Sequence, residues 1–551
     1  MIFKGVTAAI LALLLFRYRL ALMFGTVIGI FCFTCNANRD LILVLGRLGL
    51  SISYSTILAT LHTLAADSDL RLRAWGAATQ TTEPAFLLVF DNVNKMQRAW
   101  QQTVGHKDEV KSGTAATLIR LEDVPPGAMK AKPLLENMRK KERGNLTVQK
   151  LLDDIDWDHI EGIGTATVLR IWAKHISALS HFRADIESLF SDKHARHPIR
   201  LRKSDIHTMR STNIDEATTA GMANVLQNLV LGQLHILKAW ASWLILVCGD
   251  QLTIDRIRKL KQYTAKTSTP YERHDWALPI IQLWHMKWNW QKAIFRLHWW
   301  PDAGKNIFGL HHDCQVLERD KFNPTKCDFY PAHHILEDRF ETFILDALRY
   351  DGIPAFAGPP INCYSSLICE AHTHVTKSPR TKLLEGLQQY FEAGGPLEDC
   401  SFDQLSSFAI TVYQRYMCTS AYEDALGHSP RDPKVYGLPS SSDADVLHGE
   451  LYFQAHGFVP NAESDLKSSA QNIALTGKPS KRPKKAAAAP IRNFSQGDQS
   501  LATTVNFIRT TFWYIEMCAA TAEGDIGRVF AIIKVILLVA SLSGLLLIAQ
   551  L

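Results

Sequence analysis

The stretch Phe86-Leu-Leu-Val-Phe-Asp91 is a short apolar run that ends in an aspartate. A second run of the same kind, Trp243-Leu-Ile-Leu-Val-Cys-Gly-Asp250, follows much later in the chain. Runs of about four to six β-branched, aromatic and leucyl residues, bounded by polar turn-forming residues, are typical of buried strands. We predict that each aspartate comes just past its strand, at the carboxyl edge of a sheet, where α/β folds place their chemistry.

Asp91 and Asp250 are therefore the candidate catalytic and metal-binding residues. Two aspartates that bridge Mg²⁺ or Mn²⁺ form an arrangement used for in-line phosphoryl transfer. One ion activates the attacking water or hydroxyl, and the other stabilises the leaving oxygen. Such sites recruit a third acid from a helix, and spacing does not choose among Glu337, Glu341, Glu423, Glu523 and Asp525. In the alternative interpretation each aspartate is a strand-end turn or a helix cap, and the protein needs no cofactor.

Length and composition set wide limits on the class of protein. The chain has 551 residues, enough for two to four domains, and its 47% hydrophobic and 21% charged residues exclude wholesale disorder. A formal charge of +6 and a pI near 8.7 are too mild to imply a nucleic-acid partner by themselves. The 10 cysteines lie far apart, which favours free thiols in a reducing compartment over a disulfide framework.

Helical periodicity dominates the chain outside the two aspartate-bearing runs. A second strand, antiparallel to the first, is predicted near 111–121, and an aromatic helix over 275–300. We therefore predict a predominantly α-helical protein with a small mixed α/β core. The predicted regions are an N-terminal helical region (1–80), a mixed core (81–430) with a helical insertion at about 147–235, a mobile basic linker (431–500) and a C-terminal helical segment (501–551).

Two basic segments favour DNA as the partner. A basic helix is predicted from Ile254 to Tyr263, and a lysine-rich cluster lies between Lys478 and Lys485. The latter is typical of a phosphate-contacting or nuclear-import patch, and a solvated linker is the alternative. We expect a nuclear or cytoplasmic location. The candidate nucleic-acid-binding residues are Arg256, Lys259, Lys261, Lys481, Arg482, Lys484 and Lys485.

The two ends of the chain are apolar and leave a membrane interpretation open. The apolar runs at 6–16 and 20–35 are each shorter than the roughly 20 residues that a spanning helix needs. The segment 529–551 is predicted either to attach the protein to a membrane or to form a buried helix of a helical layer.

Several short motifs resemble the fungal, basidiomycete proteins grouped as domain of unknown function 6589. The matching segments are Gly49-Leu-Ser-Ile-Ser-Tyr-Ser-Thr56, Phe90-Asp-Asn-Val-Asn94, Gly113-Thr-Ala-Ala-Thr117, Gly249-Asp-Gln-Leu-Thr253 with Arg256, and Glu523-Gly-Asp-Ile-Gly-Arg528. These segments occur in order and span most of the chain. The family carries no established activity. Its expansion and its aspartate-bearing strands resemble cut-and-paste transposases with an RNase H-like core.

This resemblance implies a degenerate DDE-type transposase. Of the open candidates for the third acid, Glu523 is named as the catalytic residue beside Asp91 and Asp250. Family members continue beyond this last motif into further acidic and histidine-bearing segments, whereas this chain passes into an apolar stretch and stops. We therefore expect a truncated and inactive copy if the third acid lies in that missing part. Three hypotheses follow: a transposon-derived strand-transfer or nuclease-like protein, a non-catalytic helical DNA-binding or scaffold protein, and a membrane-attached protein.

Overall fold

A computed structural model describes residues 23–79, 85–97, 107–140, 147–300, 309–317, 321–348, 400–418 and 499–542, together with residues 10, 103, 145, 319 and 421. The strands are β1 (Phe86–Gln97), β2 (Glu109–Arg120), β3 (Ile206–Thr208), β4 (Ile245–Gly249) and β5 (Ala277–Ile281). The helices are α1 (Met23–Thr34), α2 (Arg39–Arg47), α3 (Tyr54–Thr79), α4 (Ala131–Lys140), α5 (Val148–Asp153), α6 (Trp157–His175), α7 (Arg183–Ser188), α8 (Thr219–Gln227), α9 (Gln251–Tyr263), α10 (Leu283–His298), α11 (Leu310–Val316), α12 (Phe329–Ala347), α13 (Phe402–Tyr416), α14 (Gln499–Glu523) and α15 (Ile526–Leu542).

The five strands form one mixed sheet in the order β3-β2-β1-β4-β5. Strands β1, β2 and β3 pair antiparallel, whereas β4 runs parallel to both β1 and β5. The predicted class, a predominantly helical protein with a small mixed α/β core, is confirmed. The predicted antiparallel pairing of the second strand with the first is also confirmed by the register of β1 and β2.

Both faces of the sheet are covered by apolar side chains, which explains the unbroken apolar runs of β1 and β4. One face forms a core that includes the buried side chains of Phe86, Leu88, Phe90, Ile245 and Val247. The other face packs against α4 through a smaller cluster that includes Leu244, Leu246 and Leu278. Alternate residues of each strand therefore belong to different faces.

The prediction that Asp91 comes just past its strand is wrong. Strand β1 continues through Asp91 to Gln97, because its outer half pairs with β2 from Asp91↔Ala115 to Gln97↔Glu109. The pairing of β1 with β4 stops earlier, at Val89↔Cys248. Asp91 therefore lies where β1 leaves its parallel neighbour while it remains paired with β2.

Two further predictions about elements are wrong in part. The aromatic helix was expected from residue 275, but 277–281 is the strand β5, and α10 begins only at Leu283. Pairing with β4 outweighs the local helical pattern there, and Pro279 is tolerated because β5 is an edge strand. The expected helical insertion at about 147–235 also contains the three-residue strand β3, which is too short to leave a periodic signal.

The chain divides into two compact units, each made of two stretches of sequence. Unit 1 comprises Met1–Lys141 and Arg202–Gln282 and contains the whole sheet with α1–α4, α8 and α9. Unit 2 comprises Glu142–Leu201 and Leu283–Leu551 and contains the remaining helices. The region predicted as one helical insertion therefore contributes to both units.

Unit 2 is held together by close helix packing and by buried indole hydrogen bonds. A Cβ added at Gly164 on α6 would lie 2.2 Å from the ring of Tyr413, so glycine permits α6 and α13 to approach closely. The indole nitrogen of Trp172 donates to the carbonyl oxygen of Ile344 at 3.0 Å, and that of Trp290 donates to the carbonyl of Thr510 at 3.2 Å.

Among the described residues, no helix is both long enough and apolar enough to cross a membrane. Helix α15 ends at Leu542, and the last residues of the predicted segment 529–551 lie outside the described part of the chain. The predicted linker residues 431–498 and the candidate acid Glu423 also lie outside it.

Candidate carboxylate site

The strand register brings the segments that carry Asp91 and Asp250 to the same edge of the sheet. Strands β1 and β4 pair in parallel from Leu87↔Leu246 to Val89↔Cys248. Asp91 and Asp250 each come two residues after the last of these pairs, where β4 has ended at Gly249 and β1 continues. Both aspartates therefore lie at the carboxyl end of β4.

The local structure around Asp250 comes from a tight turn between β4 and α9. Asp250 is the N-cap of α9, and its Oδ1 accepts a hydrogen bond from the backbone N–H of Thr253 at 2.7 Å. A Cβ added at Gly249 would lie 2.6 Å from the Cγ2 of Thr253, so only glycine fits the turn. The cap occupies one of the two carboxylate oxygens of Asp250. Asp91 is exposed, and its Oδ1 accepts the backbone N–H of Asn92 at 2.8 Å.

The structure adds Glu216, a third carboxylate that sequence reasoning missed. The residue is 2% exposed, and the hydroxyl of Thr253 donates to its Oε1 at 3.1 Å. Its Oε2 is buried and has no hydrogen-bond donor among the described residues. Burial, together with the negative charges of Asp91 and Asp250, raises the pKa of Glu216 to about 7. The Thr253 hydroxyl and the charge of Arg256 act in the opposite direction.

A short extended segment carries Glu216 to this position. Thr212 forms an antiparallel bridge with Thr114 of β2 through two backbone hydrogen bonds of 2.9 Å each. The approach is close, because a Cβ added at Gly113 would lie 2.4 Å from the carbonyl oxygen of Thr212. The hydroxyl of Thr114 also donates to the carbonyl oxygen of Ile214, which lies two residues after Thr212, at 2.8 Å. These contacts fix the backbone that leads into Glu216.

No sequence signal marked Glu216 as a site residue. Its surroundings, Thr212-Asn-Ile-Asp-Glu-Ala-Thr-Thr219, are typical of a polar turn before a helix. Indeed Thr218 caps α8 by accepting the N–H of Gly221 at 2.9 Å. The third acid was sought instead on helices that follow the second aspartate.

The three acidic side chains constrain how a cation could be held. Within the described part of the chain, no three His, Cys, Asp or Glu side chains are grouped closely enough to bind a metal ion together. Mg²⁺, however, commonly uses only one or two protein carboxylates and completes its shell with waters and substrate phosphates. Asp91 and Asp250 would supply two such carboxylates. Burial is the largest cause of the raised pKa of Glu216, and a divalent cation between the aspartates would offset the smaller part that comes from their negative charges.

The predicted nucleic-acid-binding residues of α9 have different surroundings. Arg256 is half-buried, and its charge acts on Glu216. Lys259 forms a 2.7 Å ion pair with Asp255. The ammonium of Lys261 donates to the carbonyl of Ala277 on β5 at 2.8 Å, and burial lowers its pKa. The predicted contacts Lys481, Arg482, Lys484 and Lys485 lie outside the described residues.

Glu523, the predicted third catalytic residue, belongs to unit 2, where it ends helix α14. Its Oε1 accepts a 2.6 Å hydrogen bond from Arg170, and its Oε2 accepts one from Arg528. Arg528 is 1% exposed and also donates to the equally buried Glu516 at 2.8 Å. Burial raises the pKa of Glu516 to about 7, although the charge of Arg528 opposes the shift.

The rest of the motif around Glu523 also makes structural contacts within unit 2. The carboxylate of Asp525 accepts the backbone N–H groups of Arg196 and His197 at 2.9 and 3.0 Å, and that of Arg528 at 3.2 Å. Gly524 has φ +74°, a conformation that favours glycine. The candidate acids Glu337 and Glu341 lie on α12, where Glu341 pairs with Lys174 at 2.5 Å. The motif therefore fastens a loop in unit 2.

The fold and the site define a predominantly helical protein with a small mixed sheet, in which Asp91 lies on β1 and Asp250 directly follows β4. The chain belongs to the Family of unknown function (DUF6589), whose model matches residues 141–545. The match includes Glu216 and Asp250, whereas β1 with Asp91 precedes it. No curated protein and no solved structure matches the chain.

Proposed function

We propose that this chain is a transposon-derived protein that handles nucleic acid and uses a divalent cation, held by Asp91 and Asp250, for strand cleavage or transfer. The observation that supports the proposal is the parallel register of β1 and β4, because Asp91 and Asp250 each follow its last pair by two residues. Like charges at adjacent strand positions destabilise a sheet unless something neutralises them. A cation with phosphate oxygens in its shell would do so.

The sheet topology supports an RNase H-like core of the kind found in cut-and-paste transposases. An RNase H-like sheet has three antiparallel strands followed by two strands that run parallel to the first. The order β3-β2-β1-β4-β5, with β1 parallel to β4 and β4 parallel to β5, has this form. In such a sheet the first strand and the end of the fourth carry the acidic residues, as Asp91 and Asp250 do here.

The chemistry of the pair suits phosphodiester substrates. Mg²⁺ or Mn²⁺ bound to two carboxylates supplies a Lewis acid that polarises a phosphoryl oxygen and lowers the pKa of a bound water. The residues of the chain position the cation: the turn at Gly249 and the cap on Thr253 fix Asp250, and the pairing of Asp91 with Ala115 fixes the backbone of β1. Arg256 supplies a positive charge close to the carboxylates.

The test is Mg²⁺- or Mn²⁺-dependent cleavage or joining of labelled DNA by the purified protein. Asp91→Asn and Asp250→Asn keep the side-chain shape, and we expect each to abolish the metal-dependent activity. Asp67→Asn is the matched control, because Asp67 is an exposed aspartate of unit 1 that pairs with Arg71 on α3. Activity that is absent in the unaltered protein, or that survives in both variants, would contradict the proposal.

A second candidate is a non-catalytic, helical DNA-binding or scaffold protein. The observation that favours it is the N-cap on Thr253, since a helix cap explains an aspartate at position 250 without any cation. On this alternative Asp250→Ala removes the cap and costs about 1 kcal/mol of stability, whereas Asp250→Asn, which caps a helix about as well, leaves both stability and DNA binding intact. If phosphate contacts dominate, the DNA affinity falls steeply with added salt in both candidates, and only cleavage distinguishes them.

A further inference from the structure

The buried carboxylate of Glu216 has one oxygen satisfied and one without a partner. Thr253 donates to Oε1 at 3.1 Å, whereas Oε2 is buried and no described residue donates to it. A buried acceptor without a donor is costly, so such atoms usually mark a place where a ligand or a bound water completes the structure. Since Glu216 is 2% exposed, bulk water does not reach it freely.

Two contacts place the carboxylate of Glu216 close to Asp250. Thr253 joins the two sides of the site, because its backbone N–H holds Asp250 while its hydroxyl holds Glu216. The charges of Asp91 and Asp250 both act on Glu216, although the three side chains are not grouped closely enough to bind one ion directly. Glu216 is thus joined to Asp250 through Thr253 without forming a three-ligand site with the two aspartates.

We propose that Glu216 is an outer-sphere carboxylate of the divalent cation centre: its Oε2 accepts a hydrogen bond from a water bound to the cation between Asp91 and Asp250. This inference rests on the proposed function. Mg²⁺ keeps several of its waters when proteins bind it, and a metal-bound water is a strong donor. Glu216 acts through that water and is a positioning residue. Thr253 keeps it in place.

The experiment measures Mn²⁺ affinity and metal-free melting temperature on the same full-length proteins. Glu216→Gln retains the side-chain shape and the acceptor for Thr253 but removes the negative charge. We expect its Kd for Mn²⁺ to rise about tenfold, since loss of an outer-shell partner commonly costs 10–100-fold in affinity. Its metal-free melting temperature is expected to stay the same or rise, because one of three repelling carboxylates is gone. The matched control is Glu136→Gln, an exposed glutamate of unit 1 paired with Lys132, which leaves both quantities unchanged.

The outcomes separate this inference from the function on which it rests. If Asp91→Asn and Asp250→Asn lose Mn²⁺ while Glu216→Gln binds it like the unaltered protein, Glu216 has no outer-sphere role and the proposed function stands. If Glu216→Gln weakens binding but also melts earlier or fails to fold without metal, its role is structural and the inference is overturned. If the unaltered protein does not bind Mn²⁺, or both aspartate variants bind it unchanged, the proposed function itself fails.

Discussion

The raised pKa of Glu216 makes the stability of unit 1 depend on pH in a defined direction. Its pKa rises from 4.5 to about 7 on folding, because burial and two nearby aspartates disfavour the charged form. A group whose pKa is raised in the folded state contributes stability that is complete below pH 4.5 and is lost as the pH rises through 7. The metal-free protein is therefore expected to be less stable at pH 8 than at pH 5.

The magnitude follows from the size of the shift. At about 1.36 kcal/mol per pKa unit, the change from 4.5 to about 7 corresponds to about 3 kcal/mol. Glu216 is 2% exposed, so solvent screening reduces this little. For a domain of roughly 150–250 residues, each kcal/mol shifts the melting temperature by about 2–4 °C. Part of this stability is already lost at pH 5, so about 2.5 kcal/mol remains between pH 5 and pH 8. We expect the melting temperature to fall by about 5–10 °C over this range because of this group.

The assay is thermal unfolding of the unaltered protein and of Glu216→Gln at both pH values, with a chelator present. Glutamine does not titrate, so the melting temperature of the variant should fall less between pH 5 and pH 8 than that of the unaltered protein. The difference between the two falls should equal the contribution of Glu216 given above. Glu516 and Asp313, whose pKa values burial raises to about 7 and about 6, titrate equally in both proteins and cancel in the difference. Equal losses in the two proteins would refute the assignment of Glu216 as a buried, high-pKa carboxyl.

Three further predictions test separate contacts. Thr253→Val removes the only described donor to Glu216 and should cost about 1–3 kcal/mol in urea unfolding at pH 8, whereas Thr253→Ser should cost much less; equal costs would argue against the hydrogen bond. Arg528→Met leaves Glu516 buried without its charge partner and should cost about 3–5 kcal/mol at pH 8, and a cost near zero would show that the pair is not buried. Gly113→Ala places a methyl group 2.4 Å from the backbone carbonyl oxygen of Thr212 and should displace the segment that leads to Glu216. The pH dependence of stability assigned to Glu216 should then disappear, and an unchanged pH profile would contradict this.

The sequence predicted the fold class and the two aspartate-bearing strands because those signals are local. The apolar runs ending at Asp91 and Asp250 have strand composition, and polar residues follow each run. A parallel pair then brings its carboxyl ends to one edge, and β1 and β4 do pair in this way. The continuation of β1 to Gln97 was missed, because only the partner β2 makes the polar stretch after Phe90 a strand.

Glu216 could not be found from the sequence, because its position depends on tertiary contacts. A bridge between Thr212 and β2 brings it near the aspartates, and a side-chain contact across 37 residues holds it on Thr253. Glu523 was one of several helix-borne acids that spacing in the sequence does not separate. In the structure its carboxylate contacts two arginines of unit 2. One of them, Arg170, is 353 residues away in the sequence, so this contact cannot be predicted from local patterns.

The most direct test of the account is anomalous X-ray diffraction from crystals of the full-length protein soaked in Mn²⁺. We expect an anomalous peak between the carboxylates of Asp91 and Asp250, with a bound water facing Glu216. An ordered protein with no peak at this edge of the sheet, or with the metal only elsewhere, would contradict it.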